Sequence, residues 1–363
     1  MSKKRDWQEP TQAVEQQKAP DEDDIIDLTT APLPPPATKR AKSTTAATNA
    51  IAAALSTAAP PPPPAAIIKR AQINEWVGLP TLVRETGLRS VTCVDPGTRN
   101  CAVSRIVFTP KTRITHAKVI DMDELIVDYE ARHPTVHLSA SSGVTEKRLF
   151  AWQEFVRHEM QPGGCFDSDV LLCEDQAHIF DPVMGRVEAV TVALFNAQRP
   201  PINVTSASAL PAGQIITARS IKACYRPLFP ELGDGASAAD QRLENKKNAK
   251  KYGALIVPQK RLAEIVENLT ERDRKRLAKA QMHDFFDCFF MSTWFVSCFM
   301  FNVYKLRRDR PDADNVGAFD KPPQRSRNRW QELIEIAHDL GTPAANIETL
   351  MTVLTGALED AVE

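Results

Sequence analysis

The first clear pattern of hydrophobic and polar positions is a set of short β-rich runs in the middle of the chain. Residues 90–95, 101–108 and 113–120 are rich in β-branched and apolar residues and are separated by turn residues, so they predict three strands of a meander. Residues 145–160 place apolar side chains at helical spacing and predict a helix. A fourth strand is predicted at residues 169–173, where the apolar run ends at Glu174.

Helical patterns dominate the second half of the sequence. Residues 188–196 predict a helix, and residues 202–205 predict a further short strand. An amphipathic helix is predicted at residues 259–269, and two more helical patterns lie in residues 328–363, on either side of Gly341. We therefore expect an α/β fold with helices beside a mixed sheet and a small helical C-terminal extension.

A phenylalanine-rich run, FFDCFFMSTWFVSCFMFNVY at residues 285–304, predicts one further helix that starts near Lys279. The run is long enough to cross a membrane. However, Asp287 lies inside it and Asp284 just before it, and a charge there is costly in lipid. We expect this helix to be buried in a protein core, with a membrane span as the alternative.

The N-terminal 70 residues differ in composition from the rest of the chain. They hold 11 of the 27 prolines, together with alanine and threonine, so they predict an extended, disordered tail without a core. Within this tail, Ile25, Ile26 and Leu28 lie between acidic residues and resemble a SUMO-interacting motif, which adds as a strand to its partner. An acidic patch with chance aliphatic residues is the alternative. The basic run KRAK at residues 39–42 is a short signal of the kind used in nuclear import.

Charge is balanced over the whole chain but not along it. The net charge is -1, whereas residues 241–310 hold 16 Lys+Arg against 8 Asp+Glu, a local surplus of +8. Five lysines in or near this basic segment are candidates for contacts with DNA phosphates. The alternative is that they belong to a solvated loop and contact no DNA. These lysines are Lys222, Lys246, Lys247, Lys250 and Lys251.

The 7 cysteines form no CxxC pair and no Cys/His cluster at zinc-ligand spacing. Scattered cysteines without a signal peptide predict reduced thiols in an intracellular protein.

Four acidic residues lie where a hydrophobic element begins or ends. Asp95 ends the first predicted strand and Glu174 follows the fourth, while Asp284 and Asp287 are three residues apart at the start of the phenylalanine-rich helix. Carboxylates that face one another repel, and a cation would relieve that repulsion. Hard oxygen ligands of this kind suit Mg²⁺ or Mn²⁺. Taken singly, each could be a turn residue, a surface acid or a helix N-terminal acid.

Several segments resemble one known family. VDPGTRNCAVSRI, LLCEDQ and AQMHDFFDCFF are similar to the motifs of RuvC-type Holliday junction resolvases, in the branch found in poxviruses, related large DNA viruses and fungal mitochondria. NVTSASAL, SIKACYRPLFP and NKKNAKKYGA resemble that family's later strand and its lysine-rich segment. The resemblance covers roughly residues 88–305, and the order of the motifs is its specific part.

This resemblance implies a ribonuclease-H-like fold and an endonuclease that resolves four-way DNA junctions. Asp95, Glu174, Asp284 and Asp287 would be the catalytic, metal-binding set, holding two Mg²⁺ (or Mn²⁺) ions, and Gln176 would orient Glu174 or contact DNA. Asp175 is expected on the opposite face of its strand. The family works as a homodimer, which matches the two-fold symmetry of a junction; the phenylalanine-rich helix or the helix at 145–160 would form the interface.

The expected organisation is a tail at residues 1–70, a RuvC-like domain at 71–305, and an arginine-rich linker with a helical extension at 306–363. Other readings remain open: a different ribonuclease-H-like nuclease of the RNase H or transposase type, or an inactive DNA-binding scaffold. DPGTRN also fits the first phosphate loop of an actin- or Hsp70-type ATPase. That fold requires a second glycine-rich loop after a later strand, and this sequence has no glycine in the corresponding segment CEDQAHIFD. The tail signals favour the nucleus, with a cytoplasmic viral factory as the alternative.

Overall fold

The three predicted strands of the meander form the antiparallel part of the central sheet in a computed structural model. They are β1 (Ser90–Asp95), β2 (Asn100–Val107) and β3 (Arg113–Asp121). β2 pairs antiparallel with both β1 and β3. Nearly every side chain of β1 is buried, as the unbroken β-rich run SVTCVD predicts for a strand covered on both faces.

The structure describes residues 79–97, 99–134, 144–175, 182–217, 221, 225, 228–229, 232–278, 282–312 and 328–359. Chain contacts divide the sequence into Met1–Pro60 and Pro61–Glu363, and every described residue lies in the second unit. The predicted tail with Ile25, Ile26 and Leu28 lies outside the described residues. The predicted boundary near residue 305 stays a prediction.

Two parallel strands complete the sheet. β4 (Val170–Asp175) runs parallel to β1, and β7 (Gly213–Thr217) runs parallel to β4, so that the order is β3-β2-β1-β4-β7. The predicted strand at 202–205 is only β5 (Ile202–Asn203), which pairs with β6 (Ala209–Leu210) in a separate two-stranded sheet. The mixed sheet with flanking helices confirms the predicted fold class.

The helices surround this sheet, and their bounds are as follows: α1 (Leu79–Thr86), α2 (Met122–Arg132), α3 (Val144–Glu159), α4 (Pro182–Gln198), α5 (Ala238–Ile256), α6 (Leu262–Ile265), α7 (Glu271–Ala278), α8 (Met282–Trp294), α9 (Phe301–Asp309), α10 (Asn328–Asp339) and α11 (Ala344–Glu359). α4 packs on β4 and β7, and α3 packs on α4. A buried hydrogen bond joins the last two, from Trp152 Nε1 to Thr191 Oγ1 at 2.7 Å.

The phenylalanine-rich helix is buried, as predicted. α8 continues through a π-helical segment (Phe295–Met300) into α9. Within the continuous helix Met282–Asp309, 89% of the most apolar 18-residue stretch is buried in the protein. It is the one helix among the described residues that is long and apolar enough to span a membrane. α8 lies against β1 and β2, where Cys93 Sγ is 3.1 Å from Ser292 Oγ.

The lysine-rich stretch forms helix α5, which lies directly against α8. The crossing is close because Gly253 has no side chain: a β-carbon there would lie 2.3 Å from the Phe286 ring. Ser237 caps the N-terminus of α5 by accepting from the backbone N–H of Asp240 at 3.2 Å. The position of α5 relative to α8 is therefore fixed by packing.

The predicted amphipathic helix at 259–269 is shorter than expected. It consists of a 3-10 turn (Gln259–Arg261) and α6, after which the chain leaves the helix. The reason is a competing backbone partner: Glu267 N donates to Ile114 O and Asn268 N donates to Thr115 O, at 3.0 and 2.9 Å. These bonds cover part of the outer edge of β3, which would otherwise be unpaired.

Candidate functional site

Asp95 and Glu174 lie side by side at the end of two parallel strands. In the register of β1 and β4, Cys93 is opposite Leu172 and Val94 is opposite Cys173. Asp95 and Glu174 are the next pair along, and they point to the sheet face that carries Cys93, because side chains alternate along a strand. That face is the one α8 covers. Asp175 points to the other face, as the sequence predicts.

A tight turn after Asp95 places it at the end of its strand. Pro96 and Gly97 reverse the chain into β2, and a β-carbon on Gly97 would lie 2.1 Å from the carbonyl oxygen of Asn100. Only glycine fits so close an approach. Asp95, which is still paired with Ala102 of β2, is therefore the last residue of β1 before the turn.

The other two predicted acids come from the first turns of α8. Asp284 and Asp287 are both near enough to act on Asp95 electrostatically. Burial of Asp95, followed by the negative charges of Glu174, Asp287 and Asp284, raises its pKa well above the ordinary 3.8. A hydrogen bond between the Asp95 and Glu174 carboxyl groups raises the pKa of Asp95 further. All four predicted acids thus form one electrostatic cluster, supplied by two strands and a helix.

A small cavity of about 10 Å³ opens beside two of these acids, close to the space one water molecule needs. Aromatic rings form much of its wall: the Phe290 centroid is 5.3 Å from that of Tyr225 and 5.2 Å from that of Phe229. The residues lining the cavity are Glu174, Ile221, Tyr225, Phe229, Asp287 and Phe290.

The chemistry of the acidic cluster fits a divalent cation. All four donors are carboxylates, and besides burial, which is the largest cause, the negative charges of Glu174, Asp287 and Asp284 raise the pKa of Asp95. A bound cation would offset that repulsion. Across the described ranges, no three His, Cys, Asp or Glu side chains converge at metal-ligand spacing. The four acids are therefore close enough to interact electrostatically, but they do not have the spacing of a complete coordination shell.

One lysine of α5, Lys246, reaches the acidic cluster through His283. Lys246 is half-buried, and its Nζ is 3.1 Å from His283 Nε2. Lys247, Lys250 and Lys251 are exposed. Lys247 pairs with Glu244 at 3.2 Å, and Lys251 Nζ lies 5.0 Å from the centre of the Tyr252 ring.

His283 is a site residue that sequence reasoning missed. Its Nε2 lies 2.9 Å from Asp284 Oδ1, and its side chain is 23% exposed. The available signal was its position next to Asp284 in QMHDFFD. Of the other predicted site residues, Gln176 and Lys222 lie outside the described residues.

No protein-family model and no curated protein sequence matches the chain. Among solved structures, the chain is similar to T. thermophilus RuvC in complex with a Holliday junction substrate, at 14% identity over 44% of this chain and 79% of that one, with a TM-score of 0.25. A second structure of Thermus thermophilus RuvC has 11% identity over 60% and 96% of the two chains, with a TM-score of 0.29. The yeast mitochondrial Holliday junction resolvase has 14% identity over 63% and 90%, with a TM-score of 0.34.

Proposed function

We propose that this protein is a structure-specific endodeoxyribonuclease that resolves four-way DNA junctions. The observation that carries the proposal is the cluster of Asp95, Glu174, Asp284 and Asp287 beside a lysine-bearing helix. Acids of this kind serve phosphodiester hydrolysis, and the lysines suit a polyanionic substrate.

The four acids would hold the divalent cations of the reaction, two Mg²⁺ ions or Mn²⁺ in their place. Bound there, the cations would supply an activated water and would stabilise the leaving 3′-oxygen. Asp95 and Glu174 have fixed positions because adjacent paired strands carry them. Asp284 and Asp287 face them from the packed helix α8. The protein's part is to keep all four carboxylates rigidly beside the scissile phosphate.

The lysines of α5 would bind the phosphates on either side of the cleavage point. Lys247, Lys250 and Lys251 project from an exposed surface, and Lys246 lies closest to the acids. Lys222 is proposed for the same role. Phosphate contacts position the DNA and add affinity, but they do not select a sequence.

A homodimer is part of the proposal because paired cuts in a two-fold symmetric junction require two active sites. The phenylalanine-rich helix is buried within its own chain, so it offers no face to a second copy. We propose the surface of α3 and α4 instead. There Phe150 is 44% exposed, and α4 exposes Ala189, Ala193 and Ala197 with Arg186 as the sole charged residue on its exposed side. The exposed side of α4, with so little charge, suits another protein surface better than DNA, whereas α3 also exposes Glu146 and Arg157.

The deciding experiment is cleavage of a labelled four-way junction with Mg²⁺, beside a linear duplex and an RNA–DNA hybrid. Paired symmetric nicks confined to the junction are expected. Asp95→Asn should abolish cutting and retain junction binding, while the matched control Asp175→Asn, on the opposite face, should still cut. Cutting of the hybrid alone would indicate an RNase H-type enzyme. Tight junction binding without cutting in Mg²⁺ or Mn²⁺ would indicate a scaffold.

We also propose that the protein works in the nucleus and binds SUMO or a SUMO-modified protein through Ile25, Ile26 and Leu28. The acidic residues beside these aliphatic residues support the proposal. Loss of SUMO binding is expected after Ile25→Ala and Ile26→Ala together. Location of the full-length protein in a cytoplasmic viral factory would overturn the nuclear assignment.

A further inference from the structure

Asn100 is the first residue of β2 and lies beside the acidic cluster. Ala102 of β2 is opposite Asp95, and residues opposite each other direct their side chains to the same face of a sheet. Asn100 is two residues before Ala102, so its side chain lies on that face too, which is the face that α8 covers. β2 and β4 are the two neighbours of β1. One neighbour therefore brings Glu174 beside Asp95, and the other brings Asn100.

Along the strand direction, Asn100 lies one step beyond the acids. β1 ends at Asp95, whereas β2 and β3 stay paired as far as Asn100 and Asp121. Diagonal neighbours such as Asp95 and Asn100 are about 7–8 Å apart on adjacent strands. Asp95 and Asp284 both act electrostatically on Cys101, the residue that follows Asn100. The Asn100 side chain is therefore at the outer border of the acidic cluster.

The backbone around Asn100 is fixed on both sides. Met122 N of α2 donates to Arg99 O at 2.8 Å, and Cys101 Sγ lies 3.4 Å from Gly97 O. The carbonyl of Asn100 lies against Gly97, where a β-carbon would be 2.1 Å away. The Asn100 side chain is half-buried, and no hydrogen bond joins its amide to a residue that the structure describes. The amide is thus held in place with donors left for a ligand.

Hydrogen-bond donors are what the four acids cannot offer to DNA. Ionised carboxylates and phosphodiester oxygens can only accept hydrogen bonds. A lysine or arginine at position 100 would donate, but its charge would pair with the carboxylates and compete with a bound cation. An asparagine amide has two N–H donors and no net charge. It can therefore bind a phosphate oxygen without neutralising the acids.

We propose that the side-chain amide of Asn100 donates a hydrogen bond to a nonbridging oxygen of the scissile phosphate. This inference rests on the proposed nuclease function of the acidic cluster. Asn100 contacts the phosphate from the β2 side, while Lys246 of α5 approaches the cluster from the α8 side through His283. Because the strand fixes Asn100 before DNA binds, little freedom is lost when the contact forms.

The direct test maps the contact one phosphate at a time. A set of four-way junctions carries one methylphosphonate each, at successive positions next to the branch point, so that one nonbridging oxygen is replaced by a methyl group. Fluorescence anisotropy gives the affinity of the full-length chain in Ca²⁺, and a gel confirms that the DNA is uncut. Asn100→Leu should lose the sensitivity to methylphosphonate at one position and keep the wild-type sensitivity elsewhere. Identical profiles in the wild type and Asn100→Leu would overturn the proposal.

Asn100→Leu keeps the approximate shape of the side chain and removes its donors without adding charge. It should weaken binding of the unmodified junction by about tenfold, as expected for one hydrogen bond to a charged group. An unchanged affinity would contradict the contact. Thermal unfolding shows whether the variant folds, and Asn100→Ala repeats the measurement if it does not.

The matched control is Asn203→Leu. Asn203 is exposed on β5, and its carbonyl accepts from Arg307, whose guanidinium also bonds Glu85 O of α1. These bonds place Asn203 near α1, which precedes the first residue of β1 and so lies away from Asp95. Asn203→Leu should bind every junction as the wild type does. A loss in the control equal to that of Asn100→Leu would show that the effect is not local to the acids.

Cutting assays in Mg²⁺ separate this inference from the proposed function. The phosphate whose sensitivity depends on Asn100 should be the one that the wild-type chain cuts; a different phosphate would overturn the proposal. A chain that cuts no junction but shows an Asn100-dependent position would overturn the nuclease function and keep the contact with phosphate. A chain that cuts, with the same profile in Asn100→Leu as in the wild type, would do the reverse.

Discussion

Thr342 Oγ1 donates a hydrogen bond to the carbonyl oxygen of Ile256, 2.9 Å away, and thereby joins the C-terminal hairpin to the end of the lysine-bearing helix α5. Asn346 Nδ2 makes a second such bond to Leu255 O at 2.9 Å. The last carbonyls of a helix have no partner within the helix, so these two side chains act as its C-terminal cap. The hairpin of α10 and α11 is therefore part of the support for α5.

Thr342→Val should destabilise the protein by about 1–3 kcal/mol, because the substitution leaves a buried carbonyl without its donor. Denaturant unfolding measures the loss, and hydrogen exchange should show faster exchange of the amides near Ile256. The matched control is Thr352→Val, since Thr352 is exposed and bonds only within its own helix. Equal effects of the two substitutions would mean that the cap contributes nothing.

Lys250→Gln should weaken junction binding and reduce the slope of log Kd against log salt by about one, because one phosphate contact is lost. Lys111→Gln is the control. Lys111 lies in the turn between β2 and β3, at the end of the sheet opposite Asp95. The Lys111→Gln substitution should leave the slope unchanged. If Lys111→Gln reduces the slope, or if Lys250→Gln does not, the DNA binds elsewhere on the protein.

The sequence predicted the elements whose pattern is local. β1 occupies the predicted residues 90–95, and α3 (Val144–Glu159) differs from its prediction by one residue at each end. Both are long or strongly apolar segments bounded by turn residues. The two acids at strand ends could be predicted for the same reason, since an apolar run that stops at a carboxylate is visible in the sequence.

Elements held by tertiary contacts could not be predicted. The run that forms α5 reads as a solvated basic stretch, because its buried face is built from small and polar residues such as Asn248, Ala249 and Gly253. β7 has only five residues and depends on pairing with β4. The contact of His283 with Lys246 joins residues 37 apart in sequence, so the packing of α5 on α8 was needed to see it.

Glu332 is a buried acid whose carboxylate oxygens have no hydrogen-bond partner. Burial, and then the charges of Glu335 and Asp339, raise its pKa well above the ordinary 4.5. A folded-state pKa above the unfolded value means that stability is fully present at pH values below about 4.5 and is lost as the pH rises through the folded pKa. At neutral pH, Glu332 therefore destabilises the hairpin.

Glu332→Met should accordingly raise the free energy of unfolding at pH 7 by about 1–3 kcal/mol. The gain should shrink as the pH is lowered and level off below 4.5, because the wild-type carboxyl is then neutral in both states. Denaturant unfolding at several pH values gives the comparison. Glu348→Met, at an exposed position of α11, is the control and should show no such pH-dependent gain. A gain of the same size at every pH would contradict the burial argument.

His116 should produce the opposite pH dependence. It is only 4% exposed, and burial, followed by the positive charges of Lys118 and Arg105, lowers its pKa from 6.5 to about 4. His116 in the unfolded chain therefore becomes protonated below pH 6.5, whereas in the folded chain it stays neutral down to about pH 4. Stability contributed by neutral His116 is complete above pH 6.5 and falls by about 3 kcal/mol across this window.

His116→Gln and His116→Phe remove the titrating group with side chains of different shape and polarity. Both should lower stability at pH 7, to different extents, because the cavity around residue 116 is refilled differently. Both should nevertheless regain about 2 kcal/mol relative to the wild type between pH 7 and pH 5, because neither can bind the proton. If either variant keeps the wild-type pH dependence, the acid sensitivity of the fold originates at another group.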